Sequence, residues 1–133
     1  MEKKVSTGFS IEKLLLIESS FKRIDNVSFN NDVKNNINIE TEVGVQENTI
    51  NVIETVSFEQ LHNETKQVVI KVKMAGVFKK EGDAVIDDLE LFGRVNGAAI
   101  IFPYIREHIT NLSIKAGLNP LILPPVNFTA NKG

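Results

Sequence analysis

The sequence predicts an α+β fold: a four-stranded antiparallel sheet followed by one long helix and a proline-rich tail. Three observations predict it. Apolar and polar residues alternate with period two through most of the first two thirds of the chain. Hairpin-length polar turns break that alternation into consecutive strands. From about Arg94 the apolar spacing becomes helical, and three of the four prolines follow Gly117.

The first strand is read from about Leu14 to Phe29, a stretch rich in apolar and β-branched residues. Phe21, Val27 and Phe29 share one parity, whereas Leu14, Leu16 and Ile24 share the other. A bulge near Lys22–Asp25 would reconcile them. A short helix over Ile11–Glu18 competes, because Glu, Lys and Leu are good helix formers. The second strand is clearer: Ile37, Ile39, Val43 and Val45 alternate with Asn38, Glu40, Glu42 and Gly44. Gln46–Asn48 makes a turn. In the third strand Ile50, Val52, Val56 and Phe58 alternate with Asn51, Thr55, Ser57 and Glu59. His62–Asn63–Glu64 turns the chain again. In the fourth, Val68, Ile70, Val72, Met74 and Phe78 alternate with Gln67, Lys71, Lys73 and Lys79. Such alternation marks a sheet with one wet face.

Lys79–Asp83 ends the sheet, and Asp87–Gly93 is read as an acidic and apolar connection. Ile101, Ile105, Ile109, Leu112 and Ala116 then line one helical face. Gly117 is placed to stop the helix, with Pro120 beyond it. Pro103 removes one backbone bond, so it should kink the helix or mark its start. The tail from Asn119 to Gly133 should be extended. One helix covers only part of a four-stranded face. The remaining apolar surface calls for a second copy of the chain or for a ligand.

The 133 residues suit a single domain, 1–133, with a real core. A hydrophobic fraction of 42%, a charged fraction of 24% and a net charge of -2 describe an ordinary globular chain. They favour neither nucleic acid nor an anionic membrane as partner. There are no cysteines, so disulfides, thiolate metal sites and a Cys nucleophile are excluded. Lys3 and Lys4 precede only the four-residue apolar run Leu14–Ile17, too short for a signal peptide or a membrane insertion. The cytoplasm is the default. The Asn-x-Ser/Thr triplets at Asn26, Asn63, Asn111 and Asn127 are then chance matches.

A search for chemistry finds no phosphate loop, since Gly93-x-x-x-Gly97 lacks the Lys-Ser/Thr ending. His62 and His108 are read as surface residues, far short of a zinc ligand set. The pair Asp87–Asp88 suits a helix start, and Glu40–Glu42 points to the wet side of a strand. No catalytic residue and no metal ligand is assigned. Phe78, Phe92, Phe102, Tyr104 and Phe128 gather near the end of the sheet, the helix start and the tail. Phe78 and Phe102 read as core; Phe92 and Phe128 could line an apolar groove for extended peptides.

The stretch Ile101–Phe102–Pro103–Tyr104–Ile105–Arg106–Glu107 resembles the Leu-Phe-Pro-Tyr-x-Arg-Glu signature of the SecB family of protein-export chaperones. Leu121–Ile122–Leu123–Pro124–Pro125–Val126–Asn127–Phe128 resembles the same family's Leu-x-Leu-x-Pro-Val-Asn-Phe. The likeness is strong over about Leu89–Phe128, while the strands match in layout. It implies a homotetramer, a dimer of dimers with long helices between two sheets. It also implies cofactor-free, ATP-independent holding of unfolded clients in apolar grooves, without enzymatic turnover. The peptide-binding residues would be Phe78, Leu89, Leu91, Phe92, Leu123, Val126 and Phe128. The family's hand-over partner is the SecA motor. Longer members carry a second helix and an acidic tail beyond the position of Phe128, and acids near the end of the first strand. Here Asn26 and Asn30 stand there, with Asp25 the nearest acid. That favours client holding over SecA docking and leaves open a branch that guards one partner, such as an antitoxin. A hot-dog thioesterase-like domain ranks below both, because there the long helix comes early.

Overall fold

The computed structural model describes residues 8–82 and 88–131. Asp83 and Asp87, placed above at the end of the sheet and before the helix, lie outside them. The described chain forms four strands, β1 (Phe9–Arg23), β2 (Lys34–Gln46), β3 (Thr49–His62) and β4 (Thr65–Lys80). A helical run follows: α1 (Leu89–Phe92), a π-turn (Gly93–Gly97) and α2 (Ala98–Lys115). The tail closes with a 3-10 turn at Phe128–Asn131. The sheet is antiparallel in the order β1-β4-β3-β2, so the predicted architecture holds.

The two inner strands carry the core. Ile50, Val52, Val56 and Phe58 of β3 and Val68, Ile70, Val72 and Phe78 of β4 are buried on one face. Ala98, Ile101, Ile105 and Ile109 of α2 close over them. Each such side chain contributes about 1.5–3 kcal/mol by leaving water. Gly93 and Gly97 set how closely the helical run lies. A Cβ at Gly93 would stand 2.8 Å from Ile50 Cγ2 and from Val43 Cγ1, and one at Gly97 2.8 Å from Val52 Cγ2. The π-turn therefore rests directly on the sheet.

β1 departs from expectation. It begins at Phe9 and ends at Arg23, and its register slips between Ile11 and Lys13 and between Leu16 and Glu18, not near Lys22–Asp25. Each slip switches parity, which is why Leu14 and Phe21 both pack on the core. Ile11–Glu18 is strand, not helix: β4 supplies a partner ladder that outweighs local propensity. The chain leaves the sheet after Arg23 because Gln67 holds the connection. The Ile24 amide donates to the Gln67 carbonyl at 3.0 Å, and the buried Gln67 side chain pairs with both the amide and the carbonyl of Ser28 at 2.9 and 3.0 Å. This connection crosses the β3–β4 end to start β2 on the far edge.

The helical run also begins earlier than expected. Asp88 Oδ1 accepts the Leu91 amide at 3.0 Å, an N-cap that starts the helix at Leu89 within the segment read as a connection. Pro103 lies inside α2 on an exposed position and does not mark its start. Gly117, with φ of 75°, ends the helix: the Leu118 amide bonds the Ser113 carbonyl and the Gly117 amide bonds the Ile114 carbonyl.

The β3–β4 hairpin turns on Asn63 and Glu64, with φ of 49° and 66°. Two left-handed residues suit a type I′ turn, where the second position favours glycine. We expect Glu64→Gly to stabilise the fold by about 0.5–1 kcal/mol, measured as a higher urea midpoint at unchanged m-value.

Candidate peptide-binding groove

The tail is built to lie along β2. Its start is fixed to α2: Thr110 Oγ1 donates to the Leu121 carbonyl at 2.7 Å, and Ser113 Oγ accepts the Leu121 amide at 2.9 Å. From there Leu123 and Phe128 are buried, and the Phe128 ring meets Phe102 of α2 edge-to-face at 5.8 Å. Three openings follow one another between the β2 side of the sheet and this tail. The first, about 90 Å³, lies between Val27–Asn30 and Leu118–Leu121. The second, about 290 Å³, is lined by Asn35, Ile37 and Phe58 against Pro120–Pro124. The third, about 360 Å³, is lined by Ile39, Thr41, Arg94, Val126 and Phe128. Asn35 to Thr41 spans about 20 Å of strand. The result is a trough of mixed apolar and polar lining beside an edge strand.

The seven residues expected to bind peptide form two groups. Leu123, Val126 and Phe128 line the trough. Phe78 is fully buried at the end of β4, where its ring meets Phe9 at 6.1 Å and Phe92 at 6.3 Å. Phe9 and Phe92 stack at 4.7 Å. Leu89 packs on the core beside this cluster, and Leu91 is 38% exposed. The π-turn joins the two groups, since it packs against the 3-10 turn at Phe128–Asn131 and carries Arg94. Arg94 Nη2 donates to Glu90 at 2.8 Å and Nη1 to the Thr41 carbonyl at 3.3 Å. The sequence does not place Ile39, Thr41 and Arg94 at the groove; their place depends on the path of the tail.

Asp25 and Asn26 are exposed in the connection after β1, and the Asp25 carbonyl accepts Arg23 Nη2 at 2.9 Å. Asn30 lies beside the tail in the first opening. The histidines are apart: His108 Nε2 meets Ser19 Oγ at 2.8 Å, and His62 lies 3.2 Å from Asp32. Glu40 and Glu42 point to the uncovered face. Apolar side chains also stay uncovered at the edges. Ile11, Leu15, Leu16 and Ile17 of β1 are about half exposed, as are Tyr104 and Ile114 of α2.

The sequence reading also passed over Glu54. It lies on the core face of β3, opposite Thr41 and Met74. It is fully buried, and neither carboxyl oxygen has a hydrogen-bond partner among the described residues. Burial raises its pKa from 4.5 to about 8, so the group is mostly protonated at neutral pH.

With this geometry in place, comparison with known proteins is decisive. The family described as "Preprotein translocase subunit SecB" matches residues 2–131. The chain belongs to the SecB family. A protein-export protein SecB of Halorhodospira halophila is 35% identical over 127 residues, covering 90% of this chain and 71% of that protein. An uncharacterised protein of Methanocaldococcus jannaschii is 32% identical over 99 residues, covering 71% of this chain and 63% of that one. The match thus spans less than two thirds of that relative's length. A solved SecB-like chaperone of Mycobacterium tuberculosis, in complex with a peptide from an antitoxin, superposes with a TM-score of 0.77. It is 16% identical, with 90% of this chain and 91% of that chain covered. The likeness shows that this SecB-family chain shares its fold.

Two outcomes follow from the geometry. Phe128→Ala removes a buried ring that holds the tail, and we expect a stability loss of about 3 kcal/mol by urea unfolding. For Glu54, the folded pKa is raised, so its unfolded state binds fewer protons between about pH 4.5 and 8. Stability is then complete below that window and declines as pH rises through it, by up to about 1.4 kcal/mol per unit. Urea midpoints measured across the window should show this slope in the natural protein and lose it in Glu54→Leu.

Proposed function

We propose that this SecB-family protein is an ATP-independent holdase of the cytoplasm. It binds unfolded precursor polypeptides stoichiometrically, without turnover, and keeps them competent for export. The observation that carries this reading is the trough between β2 and the tail. It offers Ile37, Ile39 and Val126 to an apolar segment, with the buried Leu123 and Phe128 in its lining. Beside it β2 is an edge strand, with unpaired main-chain groups that an extended polypeptide can meet. Neighbouring apolar side chains would read alternate residues of that segment. Among the described residues, no helix is long and apolar enough to cross a membrane.

Assembly is the second part of the proposal. The half-exposed apolar side chains of β1 and α2 are suited to bury against further copies, giving a dimer of dimers. Hand-over to the SecA motor would use the end of β1 around Asp25, Asn26 and Asn30. That surface offers one acid beside two amides.

A narrower role has its own support. The Mycobacterium tuberculosis relative in fold is bound to an antitoxin peptide and is covered over 91% of its length. On that model the trough guards one dedicated partner. Co-purification from the native cell separates the two: many precursors support general holding, and one dominant partner supports guarding.

The direct test is suppression of aggregation of a reduced, slowly folding client, with sizing-column light scattering of the complex. We expect an oligomer that holds client without nucleotide. Ile37→Asp and Val126→Asp should each weaken client binding about tenfold, or about 1.4 kcal/mol, without changing the oligomer. Leu15→Asp together with Leu16→Asp should split the oligomer. A monomer that leaves aggregation unchanged would overturn the proposal.

A further inference from the structure

The position of Glu54 is hard to account for by stability. It interrupts a row of Val, Ile and Phe in the centre of the dry face, and it is fully buried with both oxygens unpartnered among the described residues. An apolar side chain of similar size would fit there without the desolvation cost of a carboxyl. The surroundings offer nothing to hold a charge. Ile39, Thr41 and Val43 face it from β2, and Val72, Met74 and Gly76 from β4. Ala98, Ile101, Phe102 and Ile105 of α2 and Leu123, Val126 and Phe128 of the tail are likewise uncharged. Arg94 bonds the carbonyl of Thr41, the residue directly across from Glu54, and its guanidinium is engaged there and by Glu90. His108 is turned to Ser19 on β1, and Arg23 bonds the Ala116 carbonyl at the end of the helix.

The layers around Glu54 differ in strength. β3 is paired on both sides, so the strand itself is fixed. The tail is not: among the described residues, no backbone hydrogen bond joins 119–127 to the sheet. The π-turn above β3 carries two glycines at which a Cβ would stand 3.2 and 2.8 Å from Val52 Cγ2, so it lies close on the strand. α2 and the π-turn lie on β3 itself, so the weakest part of the cover is the tail on the β2 side, where Val126 and Phe128 line an opening with Thr41. Thr41 connects the two regions, because it faces Glu54 and also lines the trough.

We propose that Glu54 is a proton-dependent latch: the tail closes along β2, against the Thr41 that faces this carboxyl, only while the carboxyl holds its proton, and loss of the proton lifts the tail and exposes the apolar side chains beneath it. The proton passes to solvent base, and water enters along the trough to hydrate the carboxylate. No other bond changes. The latch deepens the client-holding proposal and takes its biological role from it. It makes the size of the client surface depend on pH: smaller in acid, larger in mild alkali. The raised pKa of about 8 places the change within reach of ordinary buffers.

The test compares the full chain with Glu54→Gln and Glu54→Leu from about pH 6 to 9.5. Three readouts are taken: uptake of an apolar fluorescent dye, proteolytic nicking between Asn119 and Phe128, and far-ultraviolet circular dichroism. In the natural protein, dye uptake and nicking should rise several-fold with a midpoint near 8, while the dichroism holds. Both variants should stay flat and low. The same rise in either variant, no rise in the natural protein, or loss of the dichroism in step with dye uptake would each overturn the latch. Two variants guard against one that does not fold. Dye uptake needs no client, so a protein that holds no client at any pH defeats the holdase proposal while the latch is still tested.

Discussion

One sheet face has to stay dry, and only one helical run and one strap of chain are available to keep it so. The inner strands β3 and β4 satisfy that demand under Ile101, Ile105 and Ile109, with Gly93 and Gly97 letting the helical backbone come down onto Val52. A single helix is about 10 Å wide, whereas four strands span nearly twice that. Both edges are therefore left with apolar side chains that the chain cannot cover for itself. The half-exposed row on β1 and the trough along β2 are two consequences of this one mismatch in width.

The parts that could be read from sequence are those where the period-two pattern is unbroken. β2, β3 and β4 have partners on registers that stay regular except for one shift at Gln60–Leu61 beside the hairpin turn, so parity and face coincide and the turns fall where the polar residues do. β1 was legible as a strand but not in its limits. Two register slips scramble parity within it, and its end depends on Gln67, more than forty residues further along. The start of the helical run was missed by a few residues because its cap is a lone Asp88 in an acidic stretch. Of the candidate groove, Leu123, Val126 and Phe128 were legible through the family motif. Ile39, Thr41 and Arg94 come together only because the tail runs along β2, and no local pattern encodes that path. Phe78 and Phe92 belong to an aromatic cluster completed by Phe9, whose strand was read as starting five residues later.

Glu54 shows a different kind of omission. The sequence does contain the signal, a carboxylate on the apolar parity between Val52 and Val56. The paired acids Glu40 and Glu42 are solvated, whereas the single acid Glu54 lies in an unusual, buried environment. A lone acid on a core parity is worth more notice than two acids on a wet one, because only the first costs free energy to place. That cost is also why its position bears on function: the tail on the neighbouring β2 side is held by side-chain packing and by two hydrogen bonds to Leu121, a modest total against a buried charge.

The composition of the tail explains why the trough remains a trough. An extended segment lying beside an edge strand would ordinarily pair with it and become a fifth strand. Pro120, Pro124 and Pro125 have no amide to donate, and their rings hinder a regular ladder. The segment is thus kept extended yet excluded from the sheet. It is fixed instead through Thr110 and Ser113 at one end and the Phe102–Phe128 ring contact at the other. The edge of β2 stays available, with an apolar wall beside it that is anchored at both ends and loosely held between. A stronger tail would seal the sheet and leave nothing for an unfolded chain to bind; without its anchors, the β2 side of the core would lose the cover that Leu123 and Phe128 give it.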